Sequence, residues 1–390
     1  MFSRSLPKIE DERKKKPRLL FFVTEDWYFC SHRLPLAIAA TQSGYDVTVV
    51  TRVREHGKRI MAHGLKLVPI ELSRHGMNLF ADLPVIMNLI RIYRVEKPDL
   101  VHHVGMKPVL YGSFAARLAR VPAIVNAFAG LGYLYVSTTL RAQMARRLIE
   151  LLLRWLLRYQ ATRVIVQNPD DMQRLKNAGV CTAQSGVLIR GAGVDLTLYA
   201  PRPELAGLPL VILVSRMLWD KGVGEFVAAA EQLRASKIAA RFALVGETDR
   251  GNRRAVPTAQ LQAWKDSGRV EWWGRQDDMP RIYADCHIVC LPTYYGEGIP
   301  KVLLEAAACG RPIVTTDVPG CREVVSHEDN GLIVPPRSAD ALAQALRRMI
   351  EDVELRRRMG KRGREIAEAD FSVEKVVRET LAVYRQLLAE

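Results

Sequence analysis

The sequence predicts an α/β protein built as two parallel-sheet domains, and three observations carry that prediction. Apolar runs at 18–24, 45–51, 65–70, 99–103, 124–127 and 163–167 alternate with helical stretches, and a second series at 210–216, 242–246, 270–275 and 287–291 does the same. Such alternation calls for parallel strands covered by helices on both faces. The length of 390 residues is enough for two cores, and a proline-bearing stretch at 198–209 separates the two series. The expected organisation is a flexible basic tail at 1–17, a first domain at 18–200, a second at 201–370 and a last helical segment at 371–390.

Taken in order, the tail carries Lys14, Lys15 and Lys16 and too few apolar residues to fold alone. RLLFFVT at 18–24 is a buried strand, 25–33 a loop, 34–43 a helix and 45–51 the second strand. This opening lacks G-x-G-x-x-G, so nicotinamide binding is not indicated. His32 and Arg33 close the first loop, while His102, His103 and Lys107 fall at a strand end, on the edge where open α/β sheets bind ligands. In AIVNAFAGLGY at 123–133, Asn126 is a candidate orienting group. Gly130 and Gly132 allow backbone amides to approach a sugar or phosphate.

Residues 138–163, TTLRAQMARRLIELLLRWLLRYQATR, read as a basic amphipathic helix. Leu148, Leu151, Leu152, Trp155 and Leu156 recur at helical spacing among Arg141, Arg146, Arg147, Arg154 and Arg158. A helix of that kind lies in a membrane interface or packs its leucines into the domain, and the pattern allows both. Asn168 caps a further helix reaching Ala178.

The second domain opens with LVILVSR at 210–216. Arg216 and Lys221 then bracket a loop, an arrangement suited to gripping a diphosphate from two sides. Gly246 and Arg275 follow the next two strands. Asp277-Asp278 lacks the D-x-D spacing of a metal site and reads as a helix cap. The stretch LPTYYGEGIPKVLLEAAACGRPIVTTD at 291–317 is a strand, a turn, a helix entered at Ile299-Pro300 and stopped at Gly310, and another strand. Free amides at the helix start, Gly298 to Lys301, make an anion site. Glu297 and Glu305 flank it, Glu305 about two turns in, and carboxylates accept sugar hydroxyls.

Glu297-Gly-Ile-Pro-Lys-Val-Leu-Leu-Glu305, followed by Ala-Cys-Gly-Arg-Pro-Ile-Val, resembles the E-x7-E signature of family 4 retaining glycosyltransferases. The likeness spans nearly the whole chain after about residue 18 and points to the bacterial branch acting on polyprenyl-diphosphate-linked glycans. It implies the GT-B architecture, two facing Rossmann-like domains with a cleft between them. It also implies a UDP-linked donor sugar, for which an N-acetylhexosamine is a candidate, transferred without a metal or other cofactor. Glu297, Arg216 and Lys221 take the catalytic positions. Glu305 is implied on the ribose, with Gly298, Ile299, Pro300, Lys301, Gly246 and Arg275 around the donor. The first domain becomes the acceptor side, with His32, Arg33, His103, Lys107, Asn126, Gly130 and Gly132 as candidates, and the last helix crosses back to it. One departure is that the histidine which family members often carry after the 123–127 strand is missing here.

Charge is one-sided: 29 Lys and Arg face 15 Asp and Glu in residues 1–200, against 28 and 27 in the rest. A basic first half points to an anionic partner, and the amphipathic helix, with Arg146, Arg147, Trp155 and Arg158, favours a membrane surface. No nucleic-acid-binding module is recognisable. The six cysteines lack metal spacing; with no signal peptide and no apolar run long enough to span a bilayer, they suggest a cytoplasmic protein peripheral to the inner membrane face. The alternatives are a GT-B enzyme that epimerises or hydrolyses the nucleotide sugar, and a basic noncatalytic membrane- or nucleic-acid-binding protein.

Overall fold

The computed structural model describes residues 16–73, 82–132, 135, 139–158, 161–249 and 251–389. Most of the expected tail, Tyr133 and Thr138 lie outside these. Seven strands form the first sheet: β1 (Arg18–Glu25), β2 (Asp46–Arg52), β3 (Lys66–Pro69), β4 (Leu100–Val104), β5 (Ala123–Ala127), β6 (Thr162–Val166) and β7 (Gly186–Leu188). Six form the second: β8 (Leu210–Val214), β9 (Arg241–Val245), β10 (Glu271–Gly274), β11 (Ile288–Leu291), β12 (Ile313–Thr316) and β13 (Gly331–Val334).

The strand orders are 3-2-1-4-5-6-7 and 10-9-8-11-12-13, and every pairing is parallel. Each sheet therefore reverses its winding once, between β1 and β4 and between β8 and β11. At such a switch point the loops splay apart at the carboxyl edge and leave a crevice. β4, β5, β8, β11 and β12 are buried along their whole length, as strands covered on both faces must be.

The chain leaves the first domain through Val194 and returns at Phe371. The two crossings are tied together: Val194 N–H donates to the Phe371 carbonyl (2.8 Å), and Val373 N–H to the Val194 carbonyl (3.0 Å). The last helix, Val373–Ala389, then buries Val376, Leu381, Tyr384 and Leu387 among Phe21, Leu36 and Ala37 of the first domain. Tyr384 hydrogen-bonds His102 on β4.

Two local expectations are corrected. Residues 25–33 are not a loop: Asp26–His32 is a short helix, anchored by the buried Asp26 carboxylate, which accepts from the Arg54 (2.7 Å) and His56 (2.8 Å) amides. The helix after β11 starts one residue late, at Lys301, because Pro300 sits extended (ψ 119°) at its cap. Glu305 thus lies just over one turn in, not two.

Candidate active site

The loops following β8 and β11 are fused at the second switch point. After β8, Arg216 leads into a 3-10 turn, Trp219–Lys221, closed by Gly222. The Tyr294 amide donates to the Asp220 carbonyl (3.0 Å), and the Thr293 hydroxyl lies 3.1 Å from the same carbonyl and 3.0 Å from Glu297 Oε1. This holds Lys221 Nζ 2.5 Å from Glu297 Oε2. Beside them Arg216 Nη1 lies 2.5 Å from Asp249, and Arg254 Nη1 2.9 Å from Asp220. Cations and carboxylates thus converge in pairs on one wall of a cleft of about 1050 Å³.

The opposite wall comes from the first switch point: Glu25 at the end of β1, Trp27, Tyr28 and His32 after it, and Gly105 after β4. The His32 ring stacks on Tyr28 at 4.1 Å between centroids, and its Nδ1 has no partner among the described residues. Burial, helped by Lys301 and Arg33, pushes its pKa down to about 3, so the imidazole is neutral at ordinary pH. A cleft of this size between two domains, polar on both walls, suits a nucleotide sugar and its acceptor.

The two walls touch at the helix start. Gly298 N–H donates to the Ala129 carbonyl (3.2 Å), Ile299 N–H to Gln167 Oε1 (2.8 Å), and Gly132 N–H to the Gly296 carbonyl (3.0 Å). Lys301 Nζ donates to the Ser31 carbonyl (3.0 Å) and sits 3.3 Å from Glu305. Glycine is required here by contact: a Cβ on Gly130 would lie 2.3 Å from Gly298 N, and one on Gly298 2.0 Å from Gln167 Oε1.

Of the residues singled out by sequence, Arg216, Lys221, Glu297, Gly298, Ile299, Pro300, Lys301 and His32 line the cleft. Others do not. Glu305 is buried, and its oxygens accept from the Tyr199 and Tyr283 hydroxyls (3.0 Å each), behind the cleft wall rather than on it. The amides of Gly298 and Ile299 are already bonded to the first domain rather than free for an anion. Gly130 and Gly132 serve that same contact. Arg275 points to Glu55 (3.6 Å) and Asp277 (3.4 Å), outside the cleft. Gly246 packs beneath the site, its amide bonded to the Gly274 carbonyl (2.7 Å).

His103, Asn126, Lys107 and Arg33 are all buried. His103 sits between Tyr93 OH (3.0 Å) and Asn126 Oδ1 (2.8 Å). Lys107 donates to the Ser73 carbonyl (2.7 Å) and Asp82 (3.1 Å). Asp278 caps the helix Met279–Asp285, its carboxylate accepting from the Arg281 amide (3.3 Å). Gln167, Trp27, Glu25 and Arg254 were not singled out, although Gln167 directly follows β6 at the carboxyl edge. Among the described residues no three His, Cys, Asp or Glu side chains are placed to hold a metal ion.

Comparison with known proteins covers both halves. A model described as "Glycosyl transferase 4-like" matches residues 18–168, and one described as "Glycosyl transferases group 1" matches 201–366. The chain is 29% identical over 342 residues to the N,N'-diacetylbacillosaminyl-diphospho-undecaprenol alpha-1,3-N-acetylgalactosaminyltransferase of Campylobacter jejuni, covering 84% of this chain and 88% of that protein. It is 26% identical to the Escherichia coli UDP-Gal:alpha-D-GlcNAc-diphosphoundecaprenol alpha-1,3-galactosyltransferase, over 71% of this chain and 73% of that one. In fold it resembles sucrose-phosphate synthase of Thermosynechococcus elongatus (TM-score 0.79, 24% identity, 96% of this chain and 99% of that one). It likewise resembles Anabaena HepE, solved with UDP and glucose (TM-score 0.76, 21% identity, 94% and 99%).

Proposed function

The chain belongs to the family 4 glycosyltransferases of GT-B architecture, and from that premise we propose that it moves a sugar from a UDP-sugar to a polyprenyl-diphosphate-linked acceptor in bacterial glycan assembly. The relatives named for diphospho-undecaprenol acceptors support the acceptor class, and one of them makes an N-acetylhexosamine the first donor sugar to try. The observation that carries the reading is the meeting of Arg216, Lys221 and Glu297 at the β8/β11 switch point, facing the first domain across the cleft.

In the proposed reaction an acceptor hydroxyl attacks the anomeric carbon while the bond to the β-phosphate breaks. Charge builds on the leaving diphosphate, and Arg216 and Lys221 take it up by exchanging their carboxylate partners for phosphate oxygens. No metal ion is called for in this scheme, because two cations already converge on that charge. Glu297, freed from Lys221, turns to the sugar hydroxyls. Its tether to Lys221 and Thr293 suits positioning better than nucleophilic attack. Retention then follows from attack on the leaving-group face, the hydroxyl proton passing to the departing phosphate. Neutral His32 lines the first-domain wall, on the acceptor side of this scheme.

No described helix is long and apolar enough to cross a membrane, and the six cysteines are buried free thiols, which suits a peripheral protein on the reducing, cytoplasmic side. The test is a panel of nucleotide sugars read by thermal shift, then by product formation on a polyprenyl-diphosphate-linked sugar. A ligand at about 100 times its Kd stabilises by roughly 2.7 kcal/mol. If no nucleotide sugar raises the midpoint and no sugar reaches the lipid, the proposal is wrong.

A further inference from the structure

The helix Leu140–Leu157 has two apolar faces rather than one. Ala142, Ile149, Leu153, Leu156 and Leu157 are buried against the domain. At 100° per residue they fill an arc of roughly 100°. Leu140, Met144, Leu148, Leu151 and Trp155 fall within about 80° on the other side. They are 78%, 72%, 66%, 57% and 52% exposed, so this second stripe is bare along the whole helix. Of the apolar residues that sequence placed on one face, Leu156 therefore belongs to the core and Leu148, Leu151 and Trp155 to the outside.

The stripe is bordered by positive charge. Arg141, Arg147 and Arg158 are exposed along it. Arg117, from the neighbouring helix Met106–Ala119, lays its guanidinium over the Trp155 ring at 4.3 Å, and Leu118 beside it is half exposed. Arg146, lying over the Tyr135 ring (5.8 Å), and Arg154 are only partly exposed. The helix holds a single acid, Glu150. It also connects β5 to β6, two parallel strands, so it must begin at the carboxyl edge of the sheet, where the cleft opens, and run away from it.

We infer that this outward stripe docks the protein on an anionic lipid bilayer, helix axis along the surface, with the cleft edge of the first domain held at the headgroups. The inference rests on the reading that the acceptor is a membrane lipid. A tryptophan and leucines set among arginines match the apolar boundary and negative surface of such a bilayer. A second copy fits poorly, because a two-fold contact would set the same arginines against each other.

The probes are vesicles of phosphatidylglycerol with phosphatidylcholine, and of phosphatidylcholine alone, mixed with the full chain without substrate. Co-sedimentation with the anionic vesicles is expected, weakening as salt rises, with a blue shift in emission that Trp155→Phe removes. The Leu148→Glu/Leu151→Glu double variant should bind at least about tenfold more weakly, while its thermal shift with nucleotide sugars stays that of the parent. Equal sedimentation of variant and parent overturns the inference, as does indifference of the parent to anionic vesicles, or a solution dimer that the double variant abolishes. The sugar assay needs no membrane and the vesicle assay no sugar, so either reading can fail alone.

Discussion

Lys221 and Glu297 form an ion pair, Nζ to Oε2 at 2.5 Å, that bridges the loops after β8 and β11 and is largely shielded from solvent (side chains 12% and 18% exposed). In the proposed reaction this pair is a latch: the diphosphate draws Lys221 away and hands Glu297 to the sugar. Lys221→Ala should therefore lower kcat by about a hundredfold or more, the range seen when one preorganised charge-stabilising group is lost. Glu297→Gln should retain UDP binding and lose turnover. In a double-mutant cycle the two losses should be clearly less than additive, because each single change already disables the latch. Additive losses measured by UDP release would argue that the residues act separately.

The contact between the domains makes a second prediction. Gly130 adopts φ 97° and would place a Cβ 2.3 Å from Gly298 N, so Gly130→Ala cannot form the clasp of Ala129, Gln167, Gly298 and Ile299. In the proposed reaction the cations that meet the donor, Arg216 and Lys221, both lie on the second domain. Gly130→Ala should accordingly bind UDP as before and lose transfer at least about tenfold through misplacement of the two walls. Gln167→Ala, which removes one acceptor, should show a milder form. Loss of UDP affinity in either variant, by calorimetry, would mean that the first domain holds the nucleotide.

How much of this was legible in the sequence follows from how local each feature is. Arg216, Lys221 and Glu297 stand at fixed short offsets from strands, so strand ends alone bring them to one crevice. His103 and Asn126 also stand at strand ends, yet face inward. A strand buried on both sides has no polar alternation to say which way a residue points, and one position reverses it. The partners that Glu305 has here, Tyr199 and Tyr283, lie 106 and 22 residues away, so no local pattern announces them. The helix Asp26–His32 is too short to show a period, and periodicity across 140–157 revealed a helix but merged its two faces.

Acidity should destabilise the protein through its buried histidines. His102 and His103 are fully buried, and burial lowers both pKa values, His103 to about 4 and His102 well below the ordinary value. The unfolded chain binds their protons first, near pH 6.5. Their stabilising contribution is therefore complete above that pH and is lost as pH falls from about 6.5 toward the folded values. For His103 the loss between pH 7 and 5 comes to about 2 kcal/mol, and His102 acts in the same direction. Urea midpoints should fall over that interval, with protons taken up by both rings on unfolding at pH 5. A stability flat from pH 7 to 5 would contradict their burial as neutral rings.

Glu305 provides the sharpest contrast between the resemblance and the geometry. The family signature implies a ribose contact, whereas here the carboxylate is inside the second domain, taking hydroxyl protons from Tyr199 and Tyr283 and lying 3.3 Å from Lys301. Tyr283 is itself completely buried. Removing the acceptor leaves the two tyrosine hydroxyls without their partner, while Lys301 keeps the Ser31 carbonyl, and an unsatisfied buried polar group costs about 1–3 kcal/mol. Glu305→Ala should thus lower the thermal midpoint of the ligand-free protein by several degrees, and Glu305→Gln, which keeps an acceptor oxygen, by less. A ribose ligand would behave otherwise: Glu305→Ala would melt with the parent and show only a raised KM for the nucleotide sugar. Measuring both the midpoint and the donor KM on the same variant separates a carboxylate that holds the helix in place from one that reaches the donor.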